Sequence, residues 1–215
     1  MKPEIDGANI VLVGSFNTQI FQPAWFALQG LIRKEAADAA KIEIIHPQVV
    51  SVLIESVKFE VTLERLTAST PNPSSYELLR DLTLGSFHIL QNTPIGTMGF
   101  NRTQHFKLPS ENEWHAIGDR VAPKEWWKQS LKTPGLRTLI MEGVRTDDLA
   151  GYIRVRIEPS PRVHPGVYIS VNDHYVIRDF KPEQGCGAVM DILKSNWGPF
   201  FEMSDGIVNS ILESK

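Results

Sequence analysis

The chain has 215 residues, 42% of them hydrophobic, with one cysteine and a formal net charge of −3. That is enough apolar material for one large domain or two small ones, and too little positive charge for general attraction to nucleic acid or anionic membrane. Cys186 stands alone, which excludes an internal disulfide and a multi-cysteine zinc site and fits a reducing, cytoplasmic setting.

Met1-Lys2-Pro3-Glu4 is not followed by a long apolar run, so a signal peptide is not expected. No stretch approaches the about 20 apolar residues that span a bilayer. Residues 9–16 (NIVLVGSF) form a short apolar run and predict a buried strand. Pro23 suits the first turn of a helix predicted over 24–40. Trp25, Leu28, Ile32 and Ala36 then share one face, and Arg33, Lys34, Glu35 and Asp38 supply a wet one. A strand is predicted over 41–45 and is broken by Pro47. Val50, Val52 and Ile54 alternate with other residues. Val57, Phe59, Val61 and Leu63 then alternate with Lys58, Glu60, Thr62 and Glu64. A turn or bulge near Glu55-Ser56 divides these into two strands. Residues 67–75 (TASTPNPSS) predict a loop. Ser74 or Ser75 caps a helix over about 76–90, with Leu78, Leu79, Leu82, Phe87 and Leu90 on its apolar side.

The second half opens at Ile95 with a Gly-containing strand (IGTMGFNRTQHFKL). Pro109-Ser110 introduces a helical region holding Trp114, Trp126 and Trp127 and divided by Pro123. Strands are predicted over 136–144, 151–158 and 166–171. In the middle one, Ile153, Val155 and Ile157 oppose Tyr152, Arg154 and Arg156. Asn172-Asp173 suggests a turn, with a short strand over 175–177 beyond it. A closing helical region starts near Gly187, is interrupted at Gly198-Pro199 and resumes over 200–212.

Each half thus runs strand, helix, three or four strands, helix. The expected fold is α+β: two related units, residues 1–92 and 93–215, with an antiparallel sheet shared between them and helices packed on one face. This order resembles that of TATA-binding-protein-like folds, in which two such units form a curved saddle. The resemblance is one of element order, so it implies an architecture and carries no DNA function. IGTMGFNRTQHFKL (95–108) and NWGPFFEMSDGIVNSIL (196–212) resemble two segments of an uncharacterised, patchily distributed bacterial protein family. In that family a mid-chain strand carries a Gly-x-Arg/Asn pattern, which Gly99, Asn101 and Arg102 fit approximately, and the chain ends in a helix with a Phe-Glu pair. The resemblance implies a bacterial protein and brings no established activity.

The residues that carry chemistry are few. The six histidines show no i, i+4 pair and no HExxH. His105 and His115 lie ten apart with Glu111 and Glu113 between them, which leaves a His/Glu metal site open beside the simpler expectation of separate surface histidines. No P-loop or GxGxxG occurs. Gly185-Cys186-Gly187 precedes a helix, whose N-terminus can hold an anion or acidify a thiol, and a small buried thiol at a turn is the plainer expectation. There is no GxSxG, and Cys186 has no sequence-visible His/Asn partner. No catalytic residue, metal or cofactor is predicted.

Arg154 and Arg156 share one side of a strand with Tyr152. Arg137, Arg145 and Arg162 lie nearby in sequence, with Glu142 and Glu158 in the same region. Interleaved Arg and Tyr can hold phosphates or stack bases, and the same residue types dominate protein-interface hot spots. Trp126 and Trp127 are adjacent and point apart, which leaves one free for an interface. Tyr152, Arg154, Arg156, Trp126 and Trp127 are therefore the candidate binding residues. The expected role is a non-enzymatic binding or assembly component in a bacterial multi-protein system, with a protein partner or a second copy. The alternative is nucleic-acid binding through the Arg/Tyr face, and a hydrolase assembled from distant loops is a third reading.

Overall fold

A computed structural model describes residues 1–213. Residues 214 and 215, which close the second predicted unit, lie outside the described residues. The elements are β1 (Ile5–Gly14), α1 (Pro23–Leu28), α2 (Lys34–Asp38), β2 (Lys41–His46), β3 (Val49–Ile54), β4 (Val57–Thr62), β5 (Arg65–Thr70), α3 (Tyr76–Ile89), β6 (Ile95–Lys107), α4 (Glu111–Val121), β7 (Leu139–Val144), β8 (Gly151–Pro159), β9 (Gly166–Val176) and α5 (Gly187–Glu213).

The fold is α+β. Among the described residues, nine strands form one antiparallel sheet in the order β2-β3-β4-β5-β1-β6-β9-β8-β7. Strands β1 and β6 lie side by side at its centre. From β1 the chain passes through α1 and α2 to the outer edge at β2, then returns through β3, β4 and β5 to pair with β1. From β6 it passes through α4 to the other edge at β7, then returns through β8 and β9 to pair with β6. The second path has one strand fewer.

Strand alternation decides which side is covered. Ala8, Ile10 and Leu12 of β1, Met98 and Phe100 of β6, and Val171 and Tyr175 of β9 are buried. Against them pack Leu79, Leu82 and Phe87 of α3 and Val189, Leu193, Trp197 and Phe200 of α5. Phe106, Ile157, Val167, Ile169 and Val208 make a smaller cluster toward the far end. The alternations read in β3, β4 and β8 hold for Val50, Val52, Ile54, Val57, Phe59 and Val61, which are buried, and for Ile153, Val155 and Ile157, which face the helix side. Leu63, expected to continue the β4 series, lies past the end of β4 in the bend before β5 and is exposed.

Several expectations fail, each for a physical reason. The helix expected over 24–40 is two short ones. Gly30 stands at φ +71°, and the amides of Leu31 and Gly30 donate to the carbonyls of Phe26 (2.9 Å) and Ala27 (3.0 Å), the Schellman closure of a helix. The expected stripe is therefore not the buried one. Leu28 is 81% exposed, Phe26 is buried, and Phe26 meets Phe59 at 5.0 Å between ring centroids. Trp25 is half-buried against Phe21 and Phe26. Accordingly, Phe26→Ala is expected to cost about 3–5 kcal/mol, and Trp25→Ala roughly half that, in urea unfolding. Equal losses would contradict this packing.

Residues 65–70, expected to lie partly in a loop, form β5, because Leu66, Ala68 and Thr70 face the core and Arg65, Thr67 and Ser69 face away from it. Asn172-Asp173 makes no turn: β9 runs unbroken, with Asn172 paired to Asn101 and Asp173 to Phe100. Pro199 does not interrupt α5. Gly198 before it has no Cβ to clash with the ring, Gly198 and Pro199 both lie on the exposed face, and Trp197, Phe200 and Ser204 hold the opposite face in the core. Finally, α4 ends at Val121, so Trp126 and Trp127 lie in a turn-rich segment over 122–138. Among the described residues, no helix is long and apolar enough to cross a membrane.

Candidate functional site

Among the described residues the helices pack on one side of the sheet and leave the other side open, and the central strands fill it with amides. Asn9, Asn101 and Asn172 stand in register on β1, β6 and β9. Asn101 Nδ2 donates to Asn9 Oδ1 and Asn172 Nδ2 donates to Asn101 Oδ1, each at 2.7 Å. This polar ladder crosses the middle of the sheet, and each amide keeps hydrogen-bonding capacity for a partner. Gly99 makes room for it: a Cβ there would lie 3.2 Å from Asn172 Nδ2.

Toward β8 the open side becomes aromatic and charged. Tyr152 stacks on His174, its register partner, at 4.5 Å and 20°. The Arg154 guanidinium lies over the Tyr152 ring at 4.9 Å, a cation–π placement. Burial, and then Arg154, push the His174 pKa down, so the ring is neutral at pH 7 and stacks without charge repulsion. A second pair, His105 and Tyr168, lies further along β9 at 4.9 Å, with His105 Nδ1 2.8 Å from Ser160 Oγ.

Both arginines are already engaged. Arg154 donates through Nε and Nη2 to Glu142 Oε2 at 2.7 and 2.6 Å. Arg156 donates likewise to Glu158 Oε1 at 2.8 and 2.6 Å, where Thr138 Oγ1 also donates. These exposed pairs stabilise the fold little. Their consequence is electrostatic: the face carries charge and hydrogen-bonding groups with little net field.

The structure brings Tyr152, Arg154 and Arg156 together, beside Asn172 and His174. It does not bring the tryptophans to them. Trp126 is 80% and Trp127 52% exposed, and Trp127 lines a separate groove with Leu131, Leu136 and Leu139. Arg145 also leaves this face. It is buried on the helix side, over the Tyr175 ring and paired with Asp173 and Asp147. Cys186 is buried, its thiol facing the carbonyls of Phe87 and Gln91, and burial pushes its pKa up, which opposes thiolate chemistry. Among the described residues, no group of three His, Cys, Asp or Glu is placed to hold a metal ion.

The ladder asparagines and His174 were missed by sequence reasoning. The available signal was the apolar alternation on both sides of Asn172-Asp173, from Val167, Ile169 and Val171 to Tyr175, which a turn would break. Neither protein-family models nor curated proteins give a match to this chain.

Proposed function

We propose that the protein is a non-enzymatic binding component whose open sheet face docks a partner protein, as part of a bacterial, cytoplasmic assembly. One observation carries this reading. The open side gathers Tyr152, Arg154 and Arg156, of types that anchor protein interfaces, beside His174 and the asparagine ladder, while Glu142 and Glu158 neutralise the two arginines that a phosphate backbone would need. The alternative, a single-stranded nucleic acid, is favoured by the Tyr152–His174 pair on the open side, because bases stack on such rings. We also read the two halves as copies of one unit, supported by their matching paths through the sheet.

The test is the pair of double variants R154A/R156A and R154E/R156E. Loss of two exposed ion pairs is expected to cost at most about 1 kcal/mol each, and both variants should fold. Reversal additionally sets carboxylates opposite Glu142 and beside Glu158. Co-purification from the source cells should recover a protein with the wild type and lose it with both variants. A salt-sensitive gel shift with single-stranded oligonucleotides, lost in the same variants, would transfer the site to the alternative. Undiminished recovery of the same partner by both variants would remove the face from consideration.

A further inference from the structure

Among the described residues the sheet ends in two edge strands, β2 and β7, and they differ. Edge strand β2 is defended in the usual ways: Lys41 opens it, His46 ends it, Glu43 lies within it, and a bulge between Ile42 and Ile44 breaks its register. Edge strand β7 lacks the lysine, the terminal histidine and the bulge. It pairs with β8 without a shift over all six residues, it contains no Lys, Pro or bulge, and its one charged residue, Glu142, is held by Arg154. Ile140, Met141 and Val144 are 53%, 61% and 86% exposed. The groove holding Trp127 and Leu131 runs directly into Leu139, the first residue of β7.

We propose that β7 is a strand-pairing surface and that its occupant is β7 of a second copy of this chain, antiparallel about a two-fold axis at Glu142. This edge adjoins the open face and shares the Glu142–Arg154 pair with it, but strand pairing here does not depend on the open-face reading above. The outer backbone N–H and C=O groups of an edge strand are satisfied by another extended chain. The sequence is self-complementary in this register. Ile140 falls opposite Val144, a β-branched pair on the open side. Met141 falls opposite Gly143, above which a Cβ would meet nothing within 4 Å, so there is room for the thioether. The two Glu142 carboxylates meet at the axis, each already paired with its own Arg154, giving the order Arg, Glu, Glu, Arg across the joined sheets. Covering Trp127, Leu131, Ile140, Met141 and Val144 on both copies removes on the order of 1,000 Å² from water, at the lower bound of specific interfaces. That size suits a weak, concentration-dependent dimer.

The chain's chemistry allows a direct test, because its single cysteine is buried. Opposed Cα atoms of an antiparallel pair lie about 4.5–5.5 Å apart, within the range a disulfide spans. Glu142→Cys is therefore expected to give a covalent dimer on mild oxidation, and Ile44→Cys, on the β2 edge, to stay monomeric. Sedimentation equilibrium of the wild type should show the mass rising toward a dimer with concentration. Val144→Lys should weaken that association by about tenfold or more. Hydrogen exchange of the β7 amides in the wild type should slow as concentration rises, which decides the matter even if a variant fails to fold. A wild type that remains monomeric at the highest soluble concentration overturns the proposal. So does a dimer that survives Val144→Lys while Glu142→Cys gives no cross-link, or one that Ile44→Cys captures instead.

Discussion

Trp197→Ala is expected to lower stability by about 3–5 kcal/mol, the range for removing a fully buried large aromatic. Trp197 sits mid-way along α5, with ring contacts to Phe100 at 5.4 Å and Phe201 at 5.0 Å, both near perpendicular. Phe100 belongs to central strand β6 and is buried beside Ile10 of β1, so the cavity would open where the two halves of the sheet meet. The indole Nε1 is buried and finds no hydrogen-bond partner among the described residues. An unpaired buried donor itself costs about 1–3 kcal/mol. Trp197→Phe therefore gives up volume but removes that donor, and a loss under about 1.5 kcal/mol is expected. Urea unfolding with unchanged m-values separates the two substitutions. Equal losses would mean that the indole N–H, and not the ring volume, has been misjudged.

Arg102→Ala is expected to cost a similar amount, about 3–5 kcal/mol, for a different reason: it breaks a buried ion pair and leaves one partner behind. Arg102 rises from β6 on the helix side. Its Nη2 and Nε donate to the two oxygens of Asp6 at 2.8 and 3.1 Å, and Nη1 donates to Asp205 at 2.6 Å. Its guanidinium also lies over the Phe201 ring at 5.2 Å. Tyr76 Oη donates to Asp6 at 2.8 Å and Gln104 Nε2 at 3.2 Å. Burial, then the bond to Asp6, push the Tyr76 phenol pKa up, so it stays a donor. These neutral donors cannot replace the lost cation. Arg102→Lys should recover little, because an ammonium cannot reproduce the bidentate fork while also reaching Asp205. Thermal unfolding of the two variants decides this, and a full rescue by lysine would show that charge alone, without the fork geometry, holds the network. The next residue, Asn101, projects to the opposite side of β6 into the amide ladder, so this pairing also anchors the strand that positions the candidate binding face.

The alternating strands were legible because their chemistry is local. Val57, Phe59 and Val61 against Lys58, Glu60 and Thr62 can satisfy water and core at once only as a half-covered strand, and the same logic assigned Arg154 and Arg156 to the open side. Pro109-Ser110 marked a helix start, and the Ser110 hydroxyl accepts from the Glu113 amide at 3.2 Å. The site was legible only in its β8 part. Tyr152, Arg154 and Arg156 come from one strand, whereas their neighbours His174 and Asn172 come from β9.

What the sequence by itself determined is thus the class of fold, the order of most elements and the side on which most alternating residues lie. Tertiary structure decided the rest wherever a residue's partner is distant in the chain. Asn101 bonds an asparagine 92 residues before it and another 71 residues after it. Without those partners Asn172-Asp173 has the composition of a turn. With them, and with Asp173 buried against Arg145 and Tyr175, it is the middle of a strand. Pro199 breaks a helix in isolation, yet α5 passes through it because the core grips Trp197 and Phe200 on the other side. In each case local propensity is a fraction of a kilocalorie to a few kilocalories per mole, and burial and cross-strand hydrogen bonds summed over the element outweigh it.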